Sequence, residues 1–434
     1  MQKLIIMGLG QVGTSLFNLI LKEELFDISN IRIIDKDKSV FDKFISHGGD
    51  INNCIELFIE SSNYLEIFKY IDENDFAIDL VNGVDNLILA TECLKRNIHY
   101  VSTCDDCFDN KFNFFTFQSH YDEYKKLLLN REKKATSIAE FGMNPGMVNL
   151  FTKKALIDIV EFDDTDFVSS NRDYLRSLYK NNNFALLAKE LKVRNFIETD
   201  VDITDTTINE DKNTIYSTWN VPDYDIEIHE NTIIKCGTQN GLNKILESVN
   251  CNTKNIVYFN KLNGTLILDK ISTSVPQKVG SNIGEFTGYI VSHEENFSIY
   301  DYYTIKDEEG NIEYAPDMYF VYKPCDLALR SIMEHDFNDK FQLILKENMV
   351  SGGEAVGIVV VGDNFNTRYV GNYLDIKDTF FETPTILQVS ISCLSAIKYI
   401  KNHPNEGFLF PEYTNVNEVL EYAQKYMKID SITL

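Results

Sequence analysis

The most constraining feature of the chain is its first thirteen residues. Lys3 to Met7 is a short apolar strand run that passes at once into Gly8-Leu9-Gly10-Gln11-Val12-Gly13. Apolar residues then recur at Val12, Leu16, Leu19 and Ile20 with the period of a helix. In a strand, glycine turn and helix of this kind the first glycine permits the tight turn. The second lets the backbone approach a pyrophosphate, and the third packs helix on strand, with the helix N-terminus facing the anion. A second strand run, Ile31 to Ile34, ends in Asp35, 22 residues past Gly13, where a carboxylate can hold a ribose 2′-hydroxyl. The same carboxylate would repel a 2′-phosphate, so NAD is expected in preference to NADP, although Lys36 and Lys38 pull the other way.

Further α/β units follow: strand Phe76 to Val81, helix Val84 to Arg96, strand Ile98 to Val101, helix His120 to Leu129 and strand Thr136 to Glu140. Parallel sheets bind ligands beyond the carboxyl ends of their strands. That rule puts Gly8, Asp35, Asn82-Gly83, Thr103 to Asp106 and Phe141 to Gly146 along one crevice. Gly142-Met143-Asn144-Pro145-Gly146-Met147-Val148 is expected to open a helix, with Asn144 as N-cap and Pro145 at the first helical position. The flanking glycines suit close approach by a ligand or by another stretch of backbone.

Composition narrows the classes. At 434 residues, 44% hydrophobic and 25% charged, the chain can bury a core, and disordered or collagen-like classes are excluded. Forty-one Lys and Arg against 66 Asp and Glu give a net charge of −25, which argues against nucleic acid and anionic membranes as partners. Runs such as Leu4 to Met7 and Ile358 to Val361 fall far short of the roughly 20 residues that span a bilayer. No signal-peptide pattern opens the chain, so the cytoplasm is the expected location. Eight scattered cysteines do not form a disulfide framework. Cys104 and Cys107 have CxxC spacing but no second pair or nearby His for zinc. HExxH and GxSxG patterns are lacking, so neither a metal centre nor a serine nucleophile is expected.

From about Glu161 the sequence becomes acid-rich and β-prone, with strands expected over Asn195–Glu198, Ile215–Val221, Thr232–Lys235, Asn255–Phe259, Gly264–Leu268, Gly288–His293 and Gly357–Gly362. Helices are expected over Cys325–His335, Leu387–Ile400 and Val416–Met427. The fold class is therefore α/β, a Rossmann-like doubly wound parallel sheet followed by a second α+β domain for substrate and dimerisation. The expected boundaries are 1–145 for the NAD-binding domain and 146–380 for the substrate domain. C-terminal helices over 381–434 are expected to pack back on the first domain.

Trp219 is the only tryptophan, in Ser217-Thr218-Trp219-Asn220-Val221, with Glu227 eight residues on. It reads either as core filler or as a π-face for a cation. Glu198 is read as ending an apolar strand, and Ser292-His293-Glu294-Glu295 follows another. Strand-end acids are usually solvated, but several converging on an aromatic-lined pocket would hold a polyvalent cation.

These motifs together resemble bacterial homospermidine synthases, relatives of the saccharopine dehydrogenases. The resemblance is carried by the glycine fingerprint, Ser102-Thr103-Cys104-Asp105-Asp106, the Asn144-Pro145-Gly146 segment, Glu198-Thr199-Asp200 and Thr218-Trp219-Asn220-Val221. It continues in Ser292 to Glu295, Ser298 to Tyr302, Tyr322-Lys323-Pro324-Cys325-Asp326 and Leu387-Gln388-Val389. That family joins two putrescines, with loss of ammonia, using a retained NAD. The resemblance implies a cation–π face at Trp219, with Glu198, Glu227, His293 and Glu295 around the diamine. It implies Asn144 beside nicotinamide and substrate, and acids at Asp106 and Glu354. Asp106-Cys107-Phe108 departs from the family's Glu-Pro-Trp, Glu354 stands for an Asp, and Lys323 for a His. The cofactor contacts are expected from Gly8, Gly10, Gln11, Val12, Gly13, Asp35, Asn82, Thr103, Asn144 and Pro145. The expected partners are putrescine, with spermidine as a second amine, and a second copy of the chain in a homodimer.

Two other functions compete. A saccharopine-dehydrogenase-like reductive condensation would require Arg or Lys near the site for a substrate carboxylate. A non-catalytic NAD-binding polyamine sensor would have no reason to keep acids around a unique Trp. The chemistry of the favoured reading needs a base, because an alkylammonium has a pKa of roughly 10 and only the neutral amine can give up a hydride. His293 or a carboxylate beside it is the candidate.

Overall fold

A computed structural model of the chain describes residues 2–108, 114–129, 134–221, 223–224, 227, 232–239, 256–259, 272–274, 284–333 and 340–434. The strand expected over Gly264–Leu268 lies outside these residues, as does Asn255. The chain divides into two units, Met1–Met147 with Ile386–Tyr426, and Val148–Thr385 with Met427–Leu434.

The first unit is built on a parallel sheet. Its strands are β1 (Leu4–Met7), β2 (Ile31–Asp35), β3 (Cys54–Glu56), β4 (Phe76–Asp79), β5 (His99–Ser102), β6 (Thr136–Ile138) and a seventh at Gly407–Leu409. Their spatial order is Gly407–Leu409, β6, β5, β4, β1, β2, β3, with every neighbouring pair parallel. The chain winds outward from β1 to β3 and then restarts on the other side at β4, which makes the β1–β4 junction the topological switch point. β1, β4 and β5 are wholly buried, as strands covered by helices on both faces must be. Helix α1 (Gln11–Lys22) turns Leu16, Phe17, Leu19 and Ile20 inward. Lys398 and Tyr426 both bond the Glu23 carboxylate just past the end of α1. Those bonds hold Glu23 down at about 2.

The second unit is centred on β7 (Val193–Asp202). It runs parallel to Asp317–Lys323 on one side and antiparallel to Gly353–Gly362 on the other. Arg368–Asp375 and Ile429–Thr433 extend one edge. Thr232–Lys235 and Ile256–Phe259 extend the other, and Tyr289–Val291 also pairs with Asp317–Lys323. The sheet is thus mixed, as the α+β reading requires. Side chains alternate along a strand. On one face Ile197 and Val201 of β7 join Tyr319, Val321, Ala355 and Val359 in an apolar core. The opposite face carries Glu198, Asp200 and Asp202.

Two elements differ from expectation. Glu198 does not end its strand: β7 continues to Asp202, because Thr199 and Val201 keep the apolar face going while the acids fall on the other. The chain does not finish as a helix either. Val416–Ala423 is helical, but Ile429–Thr433 is a strand, and Ile432 packs on the second unit's apolar core.

Candidate active site

In the first unit the glycine loop performs three distinct tasks. Gly8 has φ +89°, and a Cβ there would lie 2.7 Å from the Leu80 carbonyl oxygen. A Cβ on Gly13 would lie 2.1 Å from the Gly8 oxygen, so this glycine lets helix meet strand. Gly10 is different, being exposed with nothing within 4 Å of where a Cβ would sit. Gly10 is the N-cap of α1 and has no side chain to cap it, so the residue offers backbone at the helix N-terminus, where a pyrophosphate would bind. Asp35 ends β2 and accepts from the Leu9 N–H at 2.7 Å and the Asp37 N–H at 2.9 Å. The carboxylate expected to read the ribose is thereby braced against the glycine loop itself.

Around the same strand ends, Asn82 is exposed, Thr103 and Asn144 are half-buried, and Pro145 is buried. The Asn144–Pro145 peptide is cis. The helix starts only at Met147, so Asn144 is not its N-cap and Pro145 not its first residue. The chain first doubles back, with the Met147 N–H on the Gly142 carbonyl at 3.0 Å. A Cβ on Gly146 would fall 2.2 Å from the Gly142 oxygen, and one on Gly142 2.8 Å from the Thr103 oxygen. Backbone passing backbone accounts for both glycines. Asp106 accepts from the backbone N–H groups of Gly83 and Cys107, which ties the loop after β5 to the loop after β4. Burial pushes its carboxyl up. Sequence reasoning missed Asp79, buried at the end of β4, which accepts from the Tyr100 hydroxyl at 2.8 Å and the Asn86 amide at 3.0 Å. An acid ending an otherwise apolar strand was the available signal.

In the second unit the acidic face of β7 meets an aromatic row. Register places Phe320 beside Glu198 and Tyr322 beside Asp200, with Glu354 beside Asp202. His293 follows the strand Tyr289–Val291 and lies edge-on to Phe320, the ring centres 5.2 Å apart. Its Nδ1 is 2.6 Å from Glu295 Oε2 and 3.0 Å from Glu294 Oε2, and its Nε2 is 3.5 Å from Glu227 Oε1. Glu295 is the first residue of the helix Glu295–Tyr303, which sequence patterning had not revealed. Trp219 is half-buried, its Nε1 donating to the Tyr322 hydroxyl at 3.2 Å. The structure therefore brings together Glu198, Glu227, His293 and Glu295, and carries a row of aromatic rings from His293 through Phe320 and Tyr322 to Trp219.

The electrostatics separate these acids. Burial, with the Glu295 charge added, pushes Glu198 far above the usual carboxylate range, and neither of its oxygens accepts from a donor among the described residues. Burial also opposes charge on Glu295, but the His293 imidazolium beside it wins and holds Glu295 ionised. For His293, burial again disfavours the charge, yet Glu295, Glu294 and Glu227 outweigh it and keep the ring protonated well above its ordinary value. Glu354 is pushed up by burial and by the nearby Asp200 and Asp202 charges. Asp202 is spoken for by the Thr204 N–H and the Thr218 hydroxyl, each at 2.8 Å. The ligand atoms of His293, Glu294 and Glu295 lie within 4.8 Å of one another.

A glycine loop at the switch point of a parallel sheet is a dinucleotide-binding type of fold, and here it is joined in one chain to a mixed sheet with a buried acidic face. Residues 4–137 match the family described as the saccharopine dehydrogenase NADP binding domain. Over 98% of its length the chain is similar to proteins described as homospermidine synthase. The one from Blastochloris viridis is 22% identical with 89% of it covered, and the one from Mesorhizobium japonicum is 20% identical with 88% covered. Among solved structures, the homospermidine synthase of Legionella pneumophila in complex with NAD superposes with a TM-score of 0.83 at 22% identity, over 100% of this chain and 91% of that one. The apo saccharopine dehydrogenase (L-Glu forming) of Saccharomyces cerevisiae gives a TM-score of 0.54 at 9% identity, with both chains fully covered. The resemblance read from the motifs is borne out, and so is the fold class. No helix among the described residues is long and apolar enough to cross a membrane.

Proposed function

We propose that the protein is a homospermidine synthase, joining two putrescines, or putrescine and spermidine, into homospermidine with release of ammonia or diaminopropane. The observation that carries this reading is the cluster of buried Glu198 and Glu295 with half-buried His293, beside a sheet face that also bears Asp200 and Glu354 and lined by aromatic rings that lead to Trp219. NAD, when bound, supplies a hydride acceptor that later returns the hydride, so the reaction is redox-neutral. Gly10 and Asp35 suit that group: the first leaves backbone bare at a helix N-terminus, and the second sets a carboxylate where a ribose 2′-hydroxyl, not a 2′-phosphate, is welcome.

The residues divide the work by charge. A diamine enters as a dication, and burying it needs carboxylates for both ammonium groups. Glu295 stays ionised and faces one of them, held so by His293, whose own charge Glu227 supports. His293 is already protonated, so it is not the group that takes the amine's proton. Glu198 is the candidate: its carboxyl is pushed upward, so its ionised form is a stronger base than an ordinary carboxylate. Asp200 and Glu354 serve the distal ammonium, and the Trp219 face meets the cationic nitrogen end of the bound amine. Asn144 and Pro145 line the cofactor end with Thr103 and Asn82, and Asp106 holds that loop in place. On this reading residues 1–145 bind NAD, 146–380 bind the amine and the helices of 381–434 pack back on the first domain. The enzyme works in the cytoplasm as a homodimer. Incubation with putrescine and NAD followed by chromatography of the amines tests the proposal: homospermidine and ammonia should appear together, and the absence of both overturns it.

A further inference from the structure

Trp219 lies just past the strand Thr214–Ser217, in a bend, with its backbone N–H on the Ser217 hydroxyl at 3.2 Å. No regular element fixes the plane of its ring. Two contacts do. Tyr224 meets the indole edge-on, with ring centres 6.3 Å apart and planes at 70°. Tyr322 accepts from the indole N–H at 3.2 Å. Tyr322 stands in the middle of the sheet, on the strand Asp317–Lys323, and also packs edge-on against Tyr224 at 6.3 Å. Of the two rings it is the one anchored by a ladder on both sides.

Cation–π attraction depends on where the cation sits over the ring face, and a rotated indole loses it. We infer that Tyr322 is a positioning residue for Trp219, its hydroxyl locking the indole in the plane from which the ring meets the cationic amine. The inference rests on the amine-binding role given to Trp219 above. Burial, with Tyr224 and the acids Asp200, Asp202 and Glu354 nearby, pushes the Tyr322 phenol far up, so it remains a neutral hydroxyl throughout the working pH range. A neutral hydroxyl can keep accepting from Trp219 while its own proton turns toward those acids.

Trp219 is the single tryptophan, so its fluorescence and its indole N–H resonance report on this residue alone. Tyr322→Phe keeps the ring and removes only the acceptor. The emission should shift to the blue, because a hydrogen bond at Nε1 stabilises the excited indole dipole. Turnover of putrescine should fall about tenfold, the scale of one lost buried hydrogen bond, with a smaller change in KM. In a Trp219→Phe background, where no N–H remains to hold, adding Tyr322→Phe should cost nothing further. Unchanged emission, unchanged turnover, or losses that simply add in the double variant would each overturn the inference. Should Tyr322→Phe fail to fold, the unmodified protein still decides: its one indole N–H should be protected from solvent exchange, and rapid exchange refutes the bond. The optical and exchange readouts need no substrate, so they stand even where the assignment of putrescine fails.

Discussion

Nδ1 of His293 lies 2.6 Å from a carboxylate oxygen of Glu295, a residue with no solvent exposure, and that contact decides which acid of the site is charged. Glu295 is ionised because the imidazolium is beside it, and its charge helps push Glu198 upward. In Glu295→Gln, Glu198 loses that neighbour and its carboxyl falls. The acid limb of the pH profile for kcat/KM should therefore move to lower pH, while kcat drops on the order of a hundredfold. Glu198→Gln should lose 10²- to 10⁴-fold in kcat, roughly the worth of a general base. Its melting temperature at pH 8 should rise, because a carboxyl whose folded pKa is raised weakens the fold once the pH exceeds the unfolded value. An unmoved acid limb, or a Glu198→Gln enzyme with full turnover, would count against these roles.

Asp79 offers a test of the cofactor domain. Burial pushes this carboxyl from 3.8 up to about 6. Between those values the folded chain binds more protons than the unfolded one, so its contribution to stability falls as pH rises and levels off above the folded pKa. At 1.36 kcal/mol per unit the loss amounts to about 3 kcal/mol. Subtracting the stability curve of Asp79→Asn from that of the unaltered protein between pH 4 and 7 isolates this slope. Parallel curves would show that Asp79 is not so shifted.

Two of the fingerprint glycines should separate cleanly. Gly13→Ala drives a Cβ into the Gly8 carbonyl and should destabilise the first unit by several kcal/mol, whereas Gly10→Ala meets open space and should fold normally. Gly10→Ala should nevertheless bind NAD more weakly, because the methyl occupies the approach to the pyrophosphate. Titration of the unaltered protein with both nucleotides completes the test. Equal or better affinity for NADP would contradict the ribose-reading role of Asp35.

Trp219 is half-buried at the border of an apolar cluster, which leaves its face as the quantity to test. Trp219→Phe should keep part of the activity on a weaker π-face. Trp219→Ala should lose most turnover, since cation–π attraction at a desolvated site is on the order of 2 kcal/mol, more than tenfold in rate. A purely structural Trp would instead cost roughly 3–5 kcal/mol of stability on truncation. A Trp219→Ala protein that melts far lower yet turns over putrescine normally while folded would make Trp219 a packing residue.

How much of this was legible in the sequence follows the range of the interactions. The glycine loop, Asp35 and the α/β alternation are local, and their spacing alone yields the doubly wound sheet. The helix start at Met147 was misplaced because the return of Gly146 onto Gly142 is backbone packing, which leaves no apolar period. Glu198 was read as a strand end because buried acids are costly; the groups that set its charge, Glu295 raising its pKa and His293 lowering it, stand nearly a hundred positions away, and strand register is encoded by no local pattern. Tyr322 stood in a recognised motif, but its bond to Trp219 crosses 103 residues and could be found only in three dimensions.

The most direct test of the proposed chemistry is the redox balance with putrescine as sole substrate. Homospermidine and ammonia should accumulate in equal amounts over many turnovers while total NADH stays near zero, because the hydride is returned to the new imine. Stoichiometric accumulation of NADH, with ammonia but without homospermidine, would make the protein a plain amine dehydrogenase and contradict the proposal.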